Sequence, residues 1–327
     1  MKAILCKTLG PPENLVLEEV EDPVAAENEA VVEVYAASLN FPDGLQIQGK
    51  YQFQPPLPFI PGSEIGGVIK SVGPSLKGFD IGNRVMAIPG LGGLAEKAIV
   101  KAEGLRKIPD SMDFKTAAGF AMVYTTSYYA LKQRAHLKPG ETLLVLGASG
   151  GVGLAAVELG KIMGARVIAA ASSDEKLEFI KRLNPDEIIN YGDGELKEKV
   201  KALTNDRGAD VIYDPVGGDL FDQCCRCINW NGRLLVIGFT SGRIPECKAN
   251  LALLKGSSMV GVFLGRFRKE EPAEYEQNFK ELMQLYDEDK LRPIVTESFP
   301  MEDYVAAFNV FTERKVLGKV TLEIQSE

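Results

Sequence analysis

Histidine occurs once in this 327-residue chain, at His136, in a polar loop ahead of Leu137-Lys138-Pro139 where it reads as a surface residue. Cysteine is scarce as well, with five residues, three of them crowded into Cys224, Cys225 and Cys227. An odd, clustered set of this kind suits a reducing compartment rather than a disulfide scaffold. Cys224 and Cys227 have C-x-x-C spacing and Cys247 follows, which raises a metal or redox site. Three cysteines without a histidine partner fall short of a tetrahedral ligand set, and the segment reads as an internal helix, so core packing is the expectation. No apolar run reaches the length of a membrane span, and Met1-Lys2 leads straight into a strand-like Ala3-Ile4-Leu5-Cys6 with no apolar leader segment. The chain therefore reads as soluble and cytoplasmic, with no membrane partner; a removed transit segment would leave no trace. Basic runs are absent too, and the net charge of −8 argues against a nucleic-acid partner.

What is present is an ordinary globular composition, 45% hydrophobic and 25% charged, at a length that suits two domains. The most informative segment is Thr142 to Gly153, TLLVLGASGGVG, followed by helical spacing over Leu154 to Ile162. A buried strand that breaks into glycines and resumes as a helix presents unpaired N–H groups and the positive end of the helix dipole, which suit a diphosphate. Ala148 takes the first position of G-x-G-x-x-G, while Gly150 and Gly153 meet the two more demanding ones. The backbone of Ser149, Gly150, Gly151 and Val152 is thus expected at the cofactor. Apolar runs at 165–171, 187–190, 209–213, 233–239 and 258–264, with amphipathic stretches between them, extend the alternation. Six buried strands with interleaved helices predict a doubly wound parallel sheet with its ligand at the strands' carboxyl ends.

The strand after the loop ends Ala170-Ala171-Ser172-Ser173-Asp174-Glu175-Lys176, in small neutral residues where a carboxylate for the ribose would stand in an NAD site. Hydroxyls at Ser172 and an ammonium at Lys176 favour a 2′-phosphate, although Lys176 also reads as a solvated helix residue. Asp174 complicates this, and Ser172 with Glu175 has the S-x-x-E pattern of a capping box, which makes Asp174 an ordinary first-turn acid. Residues Met1 to about Ala121 differ in texture: alternating runs at 30–36, 64–72, 84–88 and 94–100, broken by Pro and Gly, predict a mostly antiparallel β-domain. A helical stretch near Phe114 to Leu131 bridges the halves. The tail after Gly265 is expected to return to the first domain and leave the cofactor between the two. The apolar 259–264 strand should end the sheet as an exposed edge, inviting an antiparallel homodimer.

In order along the chain stand Ser38-Leu39-Asn40-Phe41-Pro42-Asp43, Gln48-Gly49-Lys50-Tyr51, Pro58-Phe59-Ile60-Pro61-Gly62-Ser63-Glu64, Leu137-Lys138-Pro139-Gly140-Glu141, Ala148-Ser149-Gly150-Gly151-Val152-Gly153 and Ile189-Asn190-Tyr191. With these motifs the sequence resembles the medium-chain dehydrogenase/reductase superfamily nearly end to end, and within it the zinc-independent, zeta-crystallin-like NADPH:quinone oxidoreductases. The resemblance implies an α/β protein: a GroES-like catalytic domain over 1–121 and 265–327, and a Rossmann domain with a doubly wound six-stranded parallel sheet over 122–264. Where the zinc-dependent branch has ligands, this chain has Asn40, Ser63 and, near the third position, Met122. An amide, a hydroxyl and a thioether do not make a zinc site, and 91–103 lacks the cysteines of that branch's structural zinc lobe.

The resemblance further implies NADPH as cofactor, with Lys176 and Tyr191 near the adenosine phosphate. Tyr51, Asn40 and Thr126 match positions near the nicotinamide, Tyr51 matching the tyrosine that related enoyl-thioester reductases use as proton donor; in a Pro-rich loop it could equally be a lid. Gly238 and Phe239 after the fifth strand, and Val262, Phe263 and Leu264 at the sixth, should bound the nicotinamide through their backbone. The activity implied is metal-free hydride transfer from NADPH to a small quinone or enone. An enoyl-CoA reductase, with Arg266, Arg268 and Lys269 gripping the CoA phosphate, and a non-enzymatic crystallin-like nucleotide binder are the alternatives.

Overall fold

The opening part of the chain folds into strands β1 (Lys2–Cys6), β2 (Leu15–Glu19), β3 (Glu29–Leu39), β4 (Glu64–Val72), β5 (Arg84–Ala87), β6 (Lys97–Lys101) and β7 (Leu105–Lys107), with helix α1 (Phe41–Ile47) after β3 and α2 (Phe114–Ala118) after β7. Helix α3 (Ala121–Tyr129), continued by a π-helical turn over Ala130–Arg134, then leads into alternating strands and helices. These are β8 (Thr142–Val145), α4 (Gly151–Ile162), β9 (Arg166–Ala171), α5 (Asp174–Ile180), β10 (Glu187–Asn190), α6 (Leu196–Leu203), β11 (Ala209–Asp214), α7 (Asp219–Cys227), β12 (Ile228–Val236), α8 (Ala249–Lys255) and β13 (Ser258–Gly261). Helices α9 (Leu264–Glu270) and α10 (Pro272–Asp287) follow, and the chain closes with β14 (Val295–Pro300), α11 (Tyr304–Thr312) and β15 (Lys319–Glu323). This computed structural model describes residues 1–326.

Two units emerge, one of Met1–Met122 with the segment from Pro293 onward, the other Val123–Arg292. The first holds a seven-stranded sheet in the order β14-β15-β3-β4-β5-β7, with β6 also paired to β3, and a separate β1-β2 pair. Pairing is antiparallel except between β14 and β15. Ile4, Val32, Val34, Leu39, Ile65 and Leu322 bring residues from both ends of the chain into one apolar core.

The second unit is a six-stranded parallel sheet in the order β10-β9-β8-β11-β12-β13, the doubly wound Rossmann arrangement with its reversal point beside β8. Parallel strands covered by helices on both faces must be apolar throughout, and the fully buried TLLV of β8 meets that demand. Cys224 and Cys227 belong to the core of this unit, Cys225 is half-buried and Cys247 is exposed.

Two sequence expectations change. Residues 265–292 belong to the second unit, not to the β-rich first one, because α9 and α10 pack onto α3. Tyr129 stacks on Phe267 at 3.9 Å between centroids, and Glu281 accepts from Tyr128 Oη at 2.6 Å and Lys132 Nζ at 2.5 Å. The sixth strand also stops at Gly261 instead of running to Leu264: Val262 still donates its N–H to Val236 O at 3.1 Å, but Phe263 is the N-cap of α9 and Leu264 its buried first residue. Since Val262 points its N–H inward, the outward donors of this edge are those of Met259 and Gly261.

Gly153 shows how tightly the loop and α4 are drawn together. A Cβ on it would lie 2.2 Å from Gly147 O and 2.8 Å from Ala148 Cα, backbone atoms that cannot step aside. Gly153→Val should therefore lower the unfolding free energy by roughly 1–3 kcal/mol, measured by urea denaturation. Unchanged stability would show that α4 does not need this close approach.

Candidate active site

In the second unit, the predicted cofactor residues gather at the carboxyl ends of the parallel strands. Gly150 caps α4 without a side chain, so the first-turn N–H groups have no side-chain cap, and buried Ser149 precedes it. Ser127 Oγ donates to Val152 O at 2.9 Å and shares a 2.9 Å hydrogen bond with Tyr213 Oη, tying α3 and β11 to that first turn. Ser127 had no sequence signature; a small hydroxyl inside an apolar helix reads as filler. Thr126, beside it on α3, is half-buried.

The end of β9 departs from the expected capping box. Helix α5 starts at Asp174, and its cap is Ser173, whose hydroxyl accepts from Lys176 N at 3.4 Å. Ser172 lies one residue before the cap, so no S-x-x-E box forms, and its hydroxyl instead accepts from Lys176 Nζ at 3.3 Å. Ala171 pairs with Asn190 across β9 and β10, which sets Ser172 and Tyr191 at the same level on adjacent strand ends. Asn190 Nδ2 donates to Asp174 Oδ1 at 2.7 Å, engaging the one carboxylate that complicated the reading.

Gly238 and Phe239 follow β12, and Phe239 O accepts the Gly242 N–H at 2.8 Å in a turn. With Val262 N–H bound to Val236 O and Phe263 O to Phe267 N, the N–H groups of Phe263 and Leu264 remain as backbone donors beyond β13.

In the first unit, register builds a polar cluster. Ser38 pairs with Glu64 and Leu39 with Val320, so Asn40, one step past β3, meets the first residues of β4 and β15, Glu64 and Lys319. Lys319 Nζ donates to Asn40 Oδ1 at 2.7 Å and to Glu64 Oε2 at 3.3 Å, Asn40 Nδ2 donates to Glu64 Oε2 at 3.2 Å, and Met122 N donates to Glu64 Oε1 at 2.7 Å. Beneath Asn40, the buried Asp43 carboxylate accepts from Asn40 N at 2.8 Å and from the Ser63 hydroxyl. Tyr51 is half-buried in the loop after α1, and burial followed by the charge of Asp43 raises its phenol pKa, which keeps it protonated at neutral pH.

Thus Asn40, Ser63 and Met122 are wired into one hydrogen-bonded network. The donor set does not fit zinc: the amide oxygen faces an ammonium and the hydroxyl donates to Asp43. Among the described residues no three His, Cys, Asp or Glu side chains converge as a metal-holding group. The resemblance pointed to Asn40 as a residue near the nicotinamide; it did not point to its partners Glu64 and Lys319, 255 residues apart.

The family descriptions "Alcohol dehydrogenase GroES-like domain" and "Zinc-binding dehydrogenase" match residues 26–110 and 151–287. A quinone oxidoreductase-like protein 2 homolog from Nematostella vectensis is 40% identical, over 98% of this chain and 88% of its own length. Among solved structures, Escherichia coli quinone oxidoreductase complexed with NADPH is 27% identical with a TM-score of 0.93, covering 99% of this chain and 100% of that one. The Thermus thermophilus quinone oxidoreductase, also solved with NADPH, is 34% identical with a TM-score of 0.85, over 99% and 100%. The CurK enoyl reductase is 26% identical with a TM-score of 0.91, over 99% of both chains.

Burial pushes the Asp43 carboxyl up to about 6 from an ordinary 3.8, against the pull of its hydrogen bonds from Asn40 and Ser63 and the nearby Lys319 charge. Between those two values the folded protein binds the extra proton, so this group's contribution to stability falls as pH rises from 3.8 to 6. Carbon-13 NMR of the Asp43 carboxyl should show a midpoint near 6; an ordinary midpoint near 3.8 would contradict the burial argument.

Proposed function

Because the chain belongs to the quinone oxidoreductase family of the medium-chain dehydrogenases/reductases, we propose that it is an NADPH-dependent reductase of quinones or conjugated carbonyls that works without a metal. The observation that carries this reading is the cluster at the ends of β9 and β10: the Ser172 hydroxyl and Lys176 ammonium 3.3 Å apart, level with Tyr191, with Asp174 engaged by Asn190. Such a set attracts a 2′-phosphate, and the Asp174 carboxylate beside it has one oxygen taken by Asn190.

The first-turn N–H groups of α4, from Gly151 and Val152, with the Ser149-Gly150 backbone, suit the diphosphate. Gly238, Phe239 and the N–H groups of Phe263 and Leu264 serve the nicotinamide carboxamide. Bound NADPH supplies the hydride. Reduction of an electrophilic carbonyl then leaves an enolate or hydroquinone anion, which needs hydrogen-bond donors and one proton. Asn40 and Thr126 act as donors, and Tyr51 delivers the proton and recovers it from solvent.

Similarity to CurK favours a second reading, enoyl-thioester reduction. Against it, Arg266 pairs with Glu270 at 3.3 Å and Arg268 lies 5.4 Å over the Tyr275 ring, so two of the three cations that would grip a CoA phosphate are engaged. Turnover with 1,4-benzoquinone, 9,10-phenanthrenequinone, 2-alkenals and crotonyl-CoA separates the readings, and no turnover with any of them favours a nucleotide-binding protein without activity. Two copies pair through β13: its outward N–H groups, with Trp230, Leu253 and Leu254 at 65%, 80% and 69% exposure, make an apolar edge on which the Gly261 carbonyl accepts from Arg134 Nε at 3.1 Å.

NADPH should bind far more tightly than NADH, and Lys176→Glu should weaken NADPH roughly 10- to 150-fold, the worth of a charge-assisted hydrogen bond. Nucleotide fluorescence titration reads both, and equal affinities in the unmodified protein would sink the assignment. The protein should sediment as a dimer at micromolar concentration, and Met259→Pro, which removes an outward donor, should shift it to monomer. A monomeric wild type would refute the edge pairing.

A further inference from the structure

We propose that Lys319 and Glu64 are positioning residues that hold the Asn40 side chain as a one-way hydrogen-bond donor to the carbonyl oxygen of the electron acceptor. This role rests on the reductase reading above. Most asparagine amides leave their orientation open, since oxygen and nitrogen swap with little change in shape. At Asn40 the chemistry closes that choice: an ammonium has only donors and an ionised carboxylate only acceptors. Lys319 therefore claims Oδ1, at 2.7 Å, and Glu64 claims one hydrogen of Nδ2, at 3.2 Å.

The triangle is complete on every side but one. The three ammonium hydrogens of Lys319 have Asn40 Oδ1, Glu64 Oε2 and Leu39 O, the last at 3.4 Å, as acceptors. Glu64 has its second oxygen on Met122 N. Both charged side chains are sealed from solvent, Lys319 at 6% and Glu64 at 0% exposure, whereas Asn40 is only half-buried. The second Nδ2 hydrogen is the donor that neither charged partner takes. Donation from the ammonium into Oδ1 also polarises the amide and strengthens the N–H it leaves over. A neutral donor of fixed direction thus stands where the zinc-dependent branch of the resemblance places a metal ligand. A buried ion pair that merely fastened β15 to β4 across the end of β3 would need no amide between its partners.

Two experiments test this. With asparagine nitrogen-15 labelling of the enzyme without substrate, the Asn40 Nδ2 pair, identified by its loss in Asn40→Asp, should show one slowly exchanging hydrogen, and Lys319→Met should abolish that protection. In steady-state kinetics with 1,4-benzoquinone, Asn40→Asp and Lys319→Met should each lower kcat roughly ten- to hundredfold. The Kd for NADPH should stay within about twofold and Lys319→Arg should recover most of the loss, because both cations can donate to Oδ1. If folded Lys319→Met keeps wild-type kcat, or if its loss is matched by weaker NADPH binding, the pair is structural and the proposal fails. Should Lys319→Met not fold, an unprotected Asn40 amide in the wild type, or an Asn40→Asp variant of normal kcat, overturns it equally. Absence of turnover by the wild type would count against the reductase reading alone, since the amide measurement requires no acceptor.

Discussion

The register of strand β3 is the constraint on which the first unit depends. Its carboxyl half hydrogen-bonds β4 on one side and β15 on the other, and its amino half also pairs with β6. A one-residue slip would turn its alternating buried positions toward the wrong face, so the apolar core holds the pairing in place. Once Ser38 faces Glu64 and Leu39 faces Val320, Asn40 has to sit among groups from two distant parts of the chain. Buried charges are tolerated only when paired and hydrogen-bonded, and the Lys319–Glu64 pair meets that condition with Asn40 as its third member.

The second unit obeys a different rule. Parallel strands joined by helices bring every βα turn to the same edge of the sheet, so residues far apart in sequence become neighbours there without direct contact between their helices. Ser172 and Tyr191 meet because β9 and β10 share a register, and the N-terminus of α4 reaches the same edge because Gly153 allows the helix to close on the loop. The hydroxyl of Ser127 steadies that turn from behind.

Replacement of three ligand-type side chains by Asn40, Ser63 and Met122 did not leave a void. Asp43 accepts from Ser63, Glu64 from Asn40 and the Met122 backbone, and Lys319 neutralises the carboxylate beside it. A metal would concentrate positive charge at one point; this network distributes donors and keeps each in a fixed direction. Fixed donors of this kind support the reductase proposed above, whose acceptor is already electrophilic enough to take hydride.

Local pattern was enough for much of this. Six apolar runs interleaved with amphipathic stretches gave away the doubly wound sheet, because central parallel strands such as β8 and β9 are covered on both faces and must be apolar, whereas the edge strands β10 and β13 keep exposed positions. The glycine loop, the neutral end of β9 and the residue types at 40, 63 and 122 were legible for the same reason: each is a chemical demand met within a few neighbouring residues. Boundaries were less legible. The strand after Met259 and the helix after Phe263 share one apolar run, and only the packing of Leu264 and Phe267 decides where one ends. Ser172 and Ser173 are interchangeable as caps until the helix start is known. The assignment of 265–292 to the second unit, and the meeting of Glu64 with Lys319, depend on strand and helix pairings across more than a hundred residues. Such pairings are set by tertiary hydrogen bonds and shared burial, which leave no periodicity in the chain itself.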